Sequence, residues 1–280
     1  MLLSAFESSR NERTPCECCG SLKFTPVHLR ENNTLVVHCD ECHLEFVNPL
    51  PTLESMKENY QKEMIGDETE SGLHSSYILE RQARIKSFSK LYNSRLSLIE
   101  RLYSGKGNLL DIGCGAGFFL NCAKERGWNC HGLEILPEYI KFAQENFALE
   151  NIRLESLDES LSYDANTFDV ITLWDLIEHL RNPLDCLKKI NHVMKPGGLL
   201  IMWTPNVKNA VFLKENWIGY ETLQHFYFFS RDTLNQMLEK IRQVDGVIYL
   251  ERMKEFNKNS PVKNRLESMG RYLKPNGEKN

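Results

Sequence analysis

The chain has 280 residues, 41% of them hydrophobic and 26% charged, with a net charge of −4 from 34 basic and 38 acidic side chains. That composition excludes a collagen-like, low-complexity or wholly disordered chain, and the charge gives no global case for a nucleic-acid binder. The length supports a buried core and about two domains. No run of about 18 apolar residues predicts a membrane span, and the opening MLLSAFESSR lacks the basic and apolar regions of a secretory signal. Nine cysteines, an odd number with no export signal, predict a reducing, cytoplasmic setting, where clustered cysteines bind metal more often than they form disulfides.

In chain order the first element is a pair of cysteine turns. Cys16 and Cys19 form one C-x2-C, and Cys39 and Cys42 form another after a 19-residue gap. That spacing fits four thiolates closing a tetrahedron around a structural zinc ion. Gly20 follows the first pair where the backbone must fold back, and Leu35, Val36 and Val37 predict a short strand between the turns. Cys18 is a spare thiol that could replace a neighbour, and His38 and His43 are alternative ligands. The expected unit is a zinc ribbon over 13–50.

A lead-in or lid over 51–106 follows. Within it Ile85, Phe88, Tyr92, Leu96, Ile99 and Leu102 recur at three- and four-residue spacing, predicting one long amphipathic helix from Tyr77 to Tyr103. Arg81, Arg84, Lys86, Lys90, Arg95 and Arg101 read as its solvated face, with an anionic-substrate patch as the alternative.

From residue 107 strands alternate with helices. Strands are predicted at Asn108–Ile112, Trp128–Ile135, Ile152–Leu154, Phe168–Trp174, Leu199–Trp203 and Val247–Arg252. Pro137 opens one helix, and Asn182-Pro183 caps and starts another, which Lys195-Pro196-Gly197-Gly198 ends. The alternation predicts an α/β fold with a doubly wound, mostly parallel sheet. Residues 253–280 read as a polar tail or helix with no convincing seventh strand, leaving a sheet edge that a second copy of the chain could cover.

The loop after the first of these strands, Asp111-Ile112-Gly113-Cys114-Gly115-Ala116-Gly117, lies at the ligand crevice of such a sheet. Glu134 ends the next strand 23 positions after Asp111, where a carboxylate can bind both hydroxyls of a ribose. The third glycine comes one residue too early for the dinucleotide fingerprint G-x-G-x-x-G, and an acidic residue before the loop repels a pyrophosphate but suits a positively charged ligand. Both features point away from a nicotinamide cofactor.

In LLDIGCGAGFF, HGLEI, FDVITLWDLIEHLRNP and MKPGGLLIMWTPN the chain resembles the class I S-adenosylmethionine-dependent methyltransferases over residues 107 to about 240. CDECHLEFVNPLP and HFYFFSRDTLNQML resemble members that also carry an N-terminal zinc ribbon. The resemblance implies a Rossmann-like cofactor domain over 107–252. In it Asp111, Gly113, Gly115 and Gly117 would hold the methionine end of S-adenosylmethionine, with Cys114 and Phe118 also in the cofactor site. Glu134 would take the ribose and Ile135 pack on the adenine. Leu157 through its backbone, or Asp158 as the alternative, would meet the adenine edge, and Trp174 and Asp175 would line the pocket.

Methyl transfer from a sulfonium needs alignment above all, and a hydroxyl or acidic carbon acceptor also needs a base. Candidates are His179 and His225, with Glu178 and Tyr227 near them in sequence; a structural role for each histidine is the alternative. Residues 1–50 hold four basic and seven acidic side chains, a poor match for phosphates. The expected partner is a small polar methyl acceptor, such as a sugar, modified on oxygen or carbon. An RNA or protein methyltransferase, and a cofactor-binding protein without catalysis, are the alternatives.

Overall fold

A computed structural model describes residues 1–9, 12–56, 58, 76–209, 219–241 and 246–252, with residues 76 and 246–252 given by their backbone alone. Helix α1 (Leu2–Ser8) precedes three antiparallel strands, β1 (Phe24–Leu29), β2 (Leu35–Cys39) and β3 (Glu45–Val47). Each cysteine pair sits on a turn that the backbone closes on itself: Gly20 N donates to Cys16 O with Gly20 at φ +77°, and His43 N donates to Cys39 O. Leu35, Val36, Val37, Leu44, Phe46 and Val47 are all buried beneath them.

The single helix expected over Tyr77–Tyr103 is divided into α2 (Ser76–Ala83) and α3 (Ile85–Leu102), with Arg84 leaving the helical region at φ −112°, ψ 27°. Tertiary packing decides the break: Tyr77 of α2 covers the glycine loop and stacks on Tyr139, while Tyr92, Leu96 and Ile99 of α3 are buried in the core. Ile85, the first residue of the expected stripe, is left exposed.

The alternating region follows as β4 (Asn108–Ile112), α4 (Phe118–Glu125), β5 (Asn129–Glu134), α5 (Pro137–Phe147), β6 (Ile152–Leu154), β7 (Phe168–Trp174), α6 (Pro183–Val193) and β8 (Met194–Pro205). The chain then forms β9 (Tyr227–Phe228), α7 (Arg231–Leu238) and β10 (Gly246–Arg252). Six parallel strands lie in the order β10-β8-β7-β4-β5-β6. Strand periodicity divides their side chains between two cores. Leu109, Val170, Leu199 and Ile201 face α3, α4 and α5, whereas Leu110, Ile112, Ile171, Leu173, Leu200 and Met202 face α6, α7 and the cysteine ribbon. Helices on both faces make this a doubly wound sheet, and its order reverses between β4 and β7, the point where such sheets open a ligand crevice.

Three expectations change in detail. Asn182 is the N-cap of α6 and Pro183 its first residue, but Asn182 makes no side-chain cap; the Asp158 carboxylate instead holds the chain entering the helix, accepting from Arg181 N at 2.9 Å and Asn182 N at 3.1 Å. Strand β8 begins at Met194, so the Lys195–Gly198 turn lies within it, with an irregularity where it pairs with Phe168 and Val170. The ribbon does not close on itself: β3 takes β9 as its other neighbour, with Glu45 opposite Phe228 and Phe46 opposite Tyr227. Residues 13–50 therefore share a sheet and a core with the segment after β8. The tail expected at 253–280, and any seventh strand there, lie outside the described residues. Among the described residues no helix is long and apolar enough to cross a membrane.

Candidate active site and metal centre

The carboxyl ends of β4, β5 and β7 open into a cavity of about 440 Å³. Gly113 N and Cys114 N both donate to Leu133 O, tying the glycine loop to the end of β5. Gly113, Gly115 and Gly117 all have φ between +55° and +78°, a region that costs other residues strain. At Gly115 the requirement is also steric, because a Cβ there would lie 2.6 Å from the Tyr77 hydroxyl oxygen.

Glu134 anchors this loop. One carboxylate oxygen accepts from Gly115 N at 2.8 Å, and the other accepts from Ile135 N at 2.8 Å and Leu136 N at 3.0 Å. Burial pushes its pKa up, and those three N–H groups pull it back. A carboxylate has about four acceptor positions, so one remains for a ligand. Asp111 is also buried; it accepts from Thr172 Oγ1 at 2.6 Å. Burial pushes its pKa up to about 7, against the pull of the Thr172 hydroxyl and the Arg95 charge.

Asp111, Gly113, Cys114, Gly115, Glu134, Ile135, Leu157, Asp158, Trp174, Asp175 and His179 all line this one cavity. Gly117 and Phe118 do not. A Cβ on Gly117 would lie 2.9 Å from Ala143 Cβ, so this glycine lets α4 approach α5, and Phe118 packs against Phe142 and Phe147. Asp158 reaches the wall, but its carboxylate is engaged by the start of α6. The Leu157 carbonyl accepts from Lys189 Nζ at 3.0 Å.

The cationic part of the wall goes against the solvated reading of Arg81 and Arg95 that the sequence favoured. Arg95, taken as solvated, is only 8% exposed, and its guanidinium carbon lies 4.1 Å from the Trp174 ring centroid and 5.2 Å from that of Trp203. Arg81 reaches the same cavity across the Tyr77 ring, 3.4 Å from its centroid. The signal was present: Arg95 falls between Tyr92 and Ile99 at three- and four-residue spacing, on the apolar stripe rather than opposite it. The indole Nε1 atoms of Trp174 and Trp203 are buried and have no acceptor among the described residues, an unsatisfied state that buried donors rarely keep.

At the β7 end, Asp175 adopts φ +52° and donates its N–H to Trp203 O at 2.8 Å. A short 3-10 turn, Ile177–His179, then brings Glu178 and His179 beside His225. The two imidazole centroids are 4.8 Å apart at 79°. Burial lowers the His179 pKa to about 4, with the Asp175 charge opposing. Glu178 and His225 are buried behind His179 and do not reach the cavity wall. Tyr227 is further removed: its hydroxyl donates to Arg181 O at 3.0 Å and its ring stacks on Phe46 and Phe229 in the ribbon core. That placement gives Tyr227 a packing role and removes it as a base.

The ribbon holds this corner in place. Arg30, at the β1–β2 turn and 2% exposed, donates to the His225 carbonyl. Val47 N donates to Phe226 O, and Phe226 N to Glu178 O, each at 2.8 Å. In the ribbon itself Cys16 Sγ lies 3.5 Å from Cys42 Sγ, and Cys19 Sγ lies 3.4 Å from Cys39 Sγ. All four sulfurs fall within 4.8 Å of one another. Zinc–sulfur bonds of about 2.3 Å place tetrahedral sulfurs about 3.8 Å apart, so the donor set fits zinc with small adjustments. Cys18, His38 and His43 are not in that cluster, and Cys122, Cys130 and Cys186 are buried, free thiols elsewhere.

The family model described as a methyltransferase domain matches residues 78–241. The chain belongs to that family. It is 29% identical over 124 residues to a ubiquinone biosynthesis O-methyltransferase of Xylella fastidiosa, covering 42% of this chain and 50% of the relative. A protein of the same description from Xanthomonas axonopodis is 28% identical over 116 residues, covering 40% and 48%. The chain thus spans about half the length of these curated relatives. The crystal structure of a SAM-dependent methyltransferase from Archaeoglobus fulgidus superposes with a TM-score of 0.51 at 24% identity, over 69% of this chain and 86% of that one. This likeness supports the doubly wound fold.

Proposed function

We propose that the chain transfers the methyl group of S-adenosylmethionine to an oxygen or carbon atom of a small polar metabolite, and that its four clustered thiolates hold a structural zinc ion. The observation that carries the enzymatic reading is a single cavity with two buried carboxylates, Asp111 and Glu134, at its glycine-loop end and His179 at the other. The residues fit the cofactor. Asp111 offers negative charge to its ammonium and sulfonium groups, and Arg81 and Arg95 offer positive charge to its carboxylate. Glu134 keeps an acceptor position for ribose, and the orphaned indole N–H groups await acceptors.

When bound, S-adenosylmethionine supplies a methyl group already activated on sulfonium sulfur. The chain's own work is therefore alignment and relief of the acceptor's proton, which needs a group within reach of the acceptor atom. His179 is that group, in a wall that it shares with Asp175 and Gln224, with Glu178 and His225 behind it. Its Nδ1 is buried with no partner among the described residues. A cavity of this size takes a small acceptor, and the acidic balance of the ribbon disfavours RNA.

Three experiments address this reading. Calorimetric titration should show binding of S-adenosylmethionine and none of a nicotinamide dinucleotide; the reverse would refute it. Glu134→Ala should weaken cofactor binding by about 10- to 100-fold, since it removes a charged acceptor and releases the three N–H groups that hold the loop. On the true acceptor, found by screening polar metabolites, His179→Ala should lower kcat by about 100-fold or more with little change in cofactor affinity. Undiminished turnover would remove His179 from the chemistry.

A further inference from the structure

The ribbon holds a fifth thiol outside the four that close on one another. Cys18 lies in the chain between Cys16 and Cys19, is 1% exposed, and faces the Cys42 sulfur. Cys42 Sγ also has Cys16 Sγ at 3.5 Å, so two thiols from the first cysteine turn meet one sulfur of the second. Cys18 is not among the four sulfurs that lie within 4.8 Å of one another. A metal-bound sulfur is a thiolate and hence a nucleophile, and a thiol beside an oxidised sulfur condenses with it to a disulfide.

Burial does not seal this pair from small molecules. A second cavity, of about 370 Å³, lies between the first cysteine turn and the start of α6, and Cys16, Cys18, Cys19, Arg181 and Lys240 line it. Lys240 Nζ donates to the Cys18 carbonyl, and Arg181 donates to the Pro51 carbonyl. Both cations are thus held in a wall where they favour negative charge developing on a leaving oxygen. Glu17 shares the wall but is turned to α6, where Leu184 N and Asp185 N donate to its carboxylate.

We infer that Cys18 and Cys42 form an oxidation site for small hydroperoxides, closing to a disulfide that withdraws one thiolate from the ribbon's ion. The inference goes beyond methyl transfer and rests on the zinc proposed for the four cysteines. One sulfur attacks a peroxide oxygen: an S–O bond forms, the O–O bond breaks, and the other oxygen leaves as hydroxide. The second sulfur then forms the S–S bond as the S–O bond breaks and a second hydroxide leaves. The Cys18 proton and one from solvent convert both hydroxides to water. The two sulfurs together lose two electrons and the peroxide gains them. A disulfide within the four ligands, Cys16–Cys42 or Cys19–Cys39, withdraws two thiolates from the ion. The spare thiol reduces that loss to one, leaving Cys16, Cys19 and Cys39 to hold zinc more weakly until a reductant reopens the bond.

The test treats the full-length, zinc-loaded chain with hydrogen peroxide while a chromogenic chelator follows zinc release. Disulfides are then mapped by mass spectrometry after cleavage at Glu17 and Glu41, which separates Cys16 from Cys18 and Cys39 from Cys42; fragmentation between Cys18 and Cys19 assigns the sulfur. The wild type should release zinc and show a Cys18–Cys42 link that dithiothreitol reverses. Cys18→Ser and Cys18→Ala should each bind one zinc and release it at least about 10-fold more slowly. Equal release from the variants, or links confined to the four ligands, would overturn the site. Should the variants lose zinc before oxidation, the wild-type disulfide map decides alone. Zinc content before peroxide separates the two ideas. A zinc-free native chain sinks both, whereas bound zinc whose release ignores Cys18 sinks only the oxidation site.

Discussion

Asp111→Asn is expected to stabilise the unliganded protein at pH 8.5 by roughly 2–4 kcal/mol while cutting S-adenosylmethionine affinity by about 100-fold or more. Asp111 is 2% exposed, and burial pushes its carboxyl up to about 7, well above the usual carboxylate range. A carboxyl whose folded pKa is raised favours folding in its protonated form. Its contribution is fully present below about pH 4 and is lost as pH rises through 7. Asparagine keeps the neutral shape and can still accept the Thr172 hydroxyl, so it escapes that loss. The same charge is what a sulfonium and an ammonium group need, so removing it costs binding. Urea unfolding of both proteins between pH 4 and 9 checks the first half, with a gap that opens as pH rises. Cofactor calorimetry checks the second. A mutant less stable than wild type at pH 8.5 would show that the carboxylate is compensated in the free protein.

Local pattern made the cofactor half of the molecule legible. Strand positions, the glycine turns after β4 and the acidic residue ending β5 follow from periodicity and from φ requirements within a few residues. What was not legible depends on contacts distant in sequence. Asp158 holds the chain entering α6 from 23 positions away, a contact that the local Asn182-Pro183 signal does not show. Tyr227 looked like a base because it follows His225, yet β9 turns it into the ribbon, 181 positions from its strand neighbour Phe46. Gly117 and Phe118 belong to the same loop sequence as the cavity glycines, but Gly117 is the N-cap of α4, which begins at Phe118, and both face α5. Arg95 was assigned by charge although its spacing placed it on the buried stripe. The grouping of Glu178 and His179 with His225 required β9 to bring residues from after β8 back over the end of β7.

That return path also sets the expected consequence of removing the zinc ion proposed for the four thiolates. Cys39→Ser combined with Cys42→Ser should abolish zinc binding and lower the unfolding midpoint of the whole protein by more than about 10 °C. Structural zinc contributes folding free energy directly, and here the ribbon is joined to the rest of the chain by β3–β9 pairing. Leu35, Val36, Val37, Phe46 and Val47 lie in the same apolar core as Leu110, Ile171, Leu200 and the buried face of α6. Melting the ribbon uncovers one face of the sheet, so calorimetry should show one cooperative transition moving down. Two transitions, with the second at the wild-type temperature, would mean that the cofactor half folds independently. Turnover should fall further than stability alone explains at temperatures where the variant remains folded. The reason is local: Arg30 and Val47 hold His225 and Phe226, and Phe226 in turn holds Glu178. A ribbon that loosens without unfolding displaces the group beside the acceptor while leaving Asp111 and the glycine loop intact. Lost kcat with retained cofactor affinity is therefore the signature of a ribbon that positions the acceptor end of the cavity.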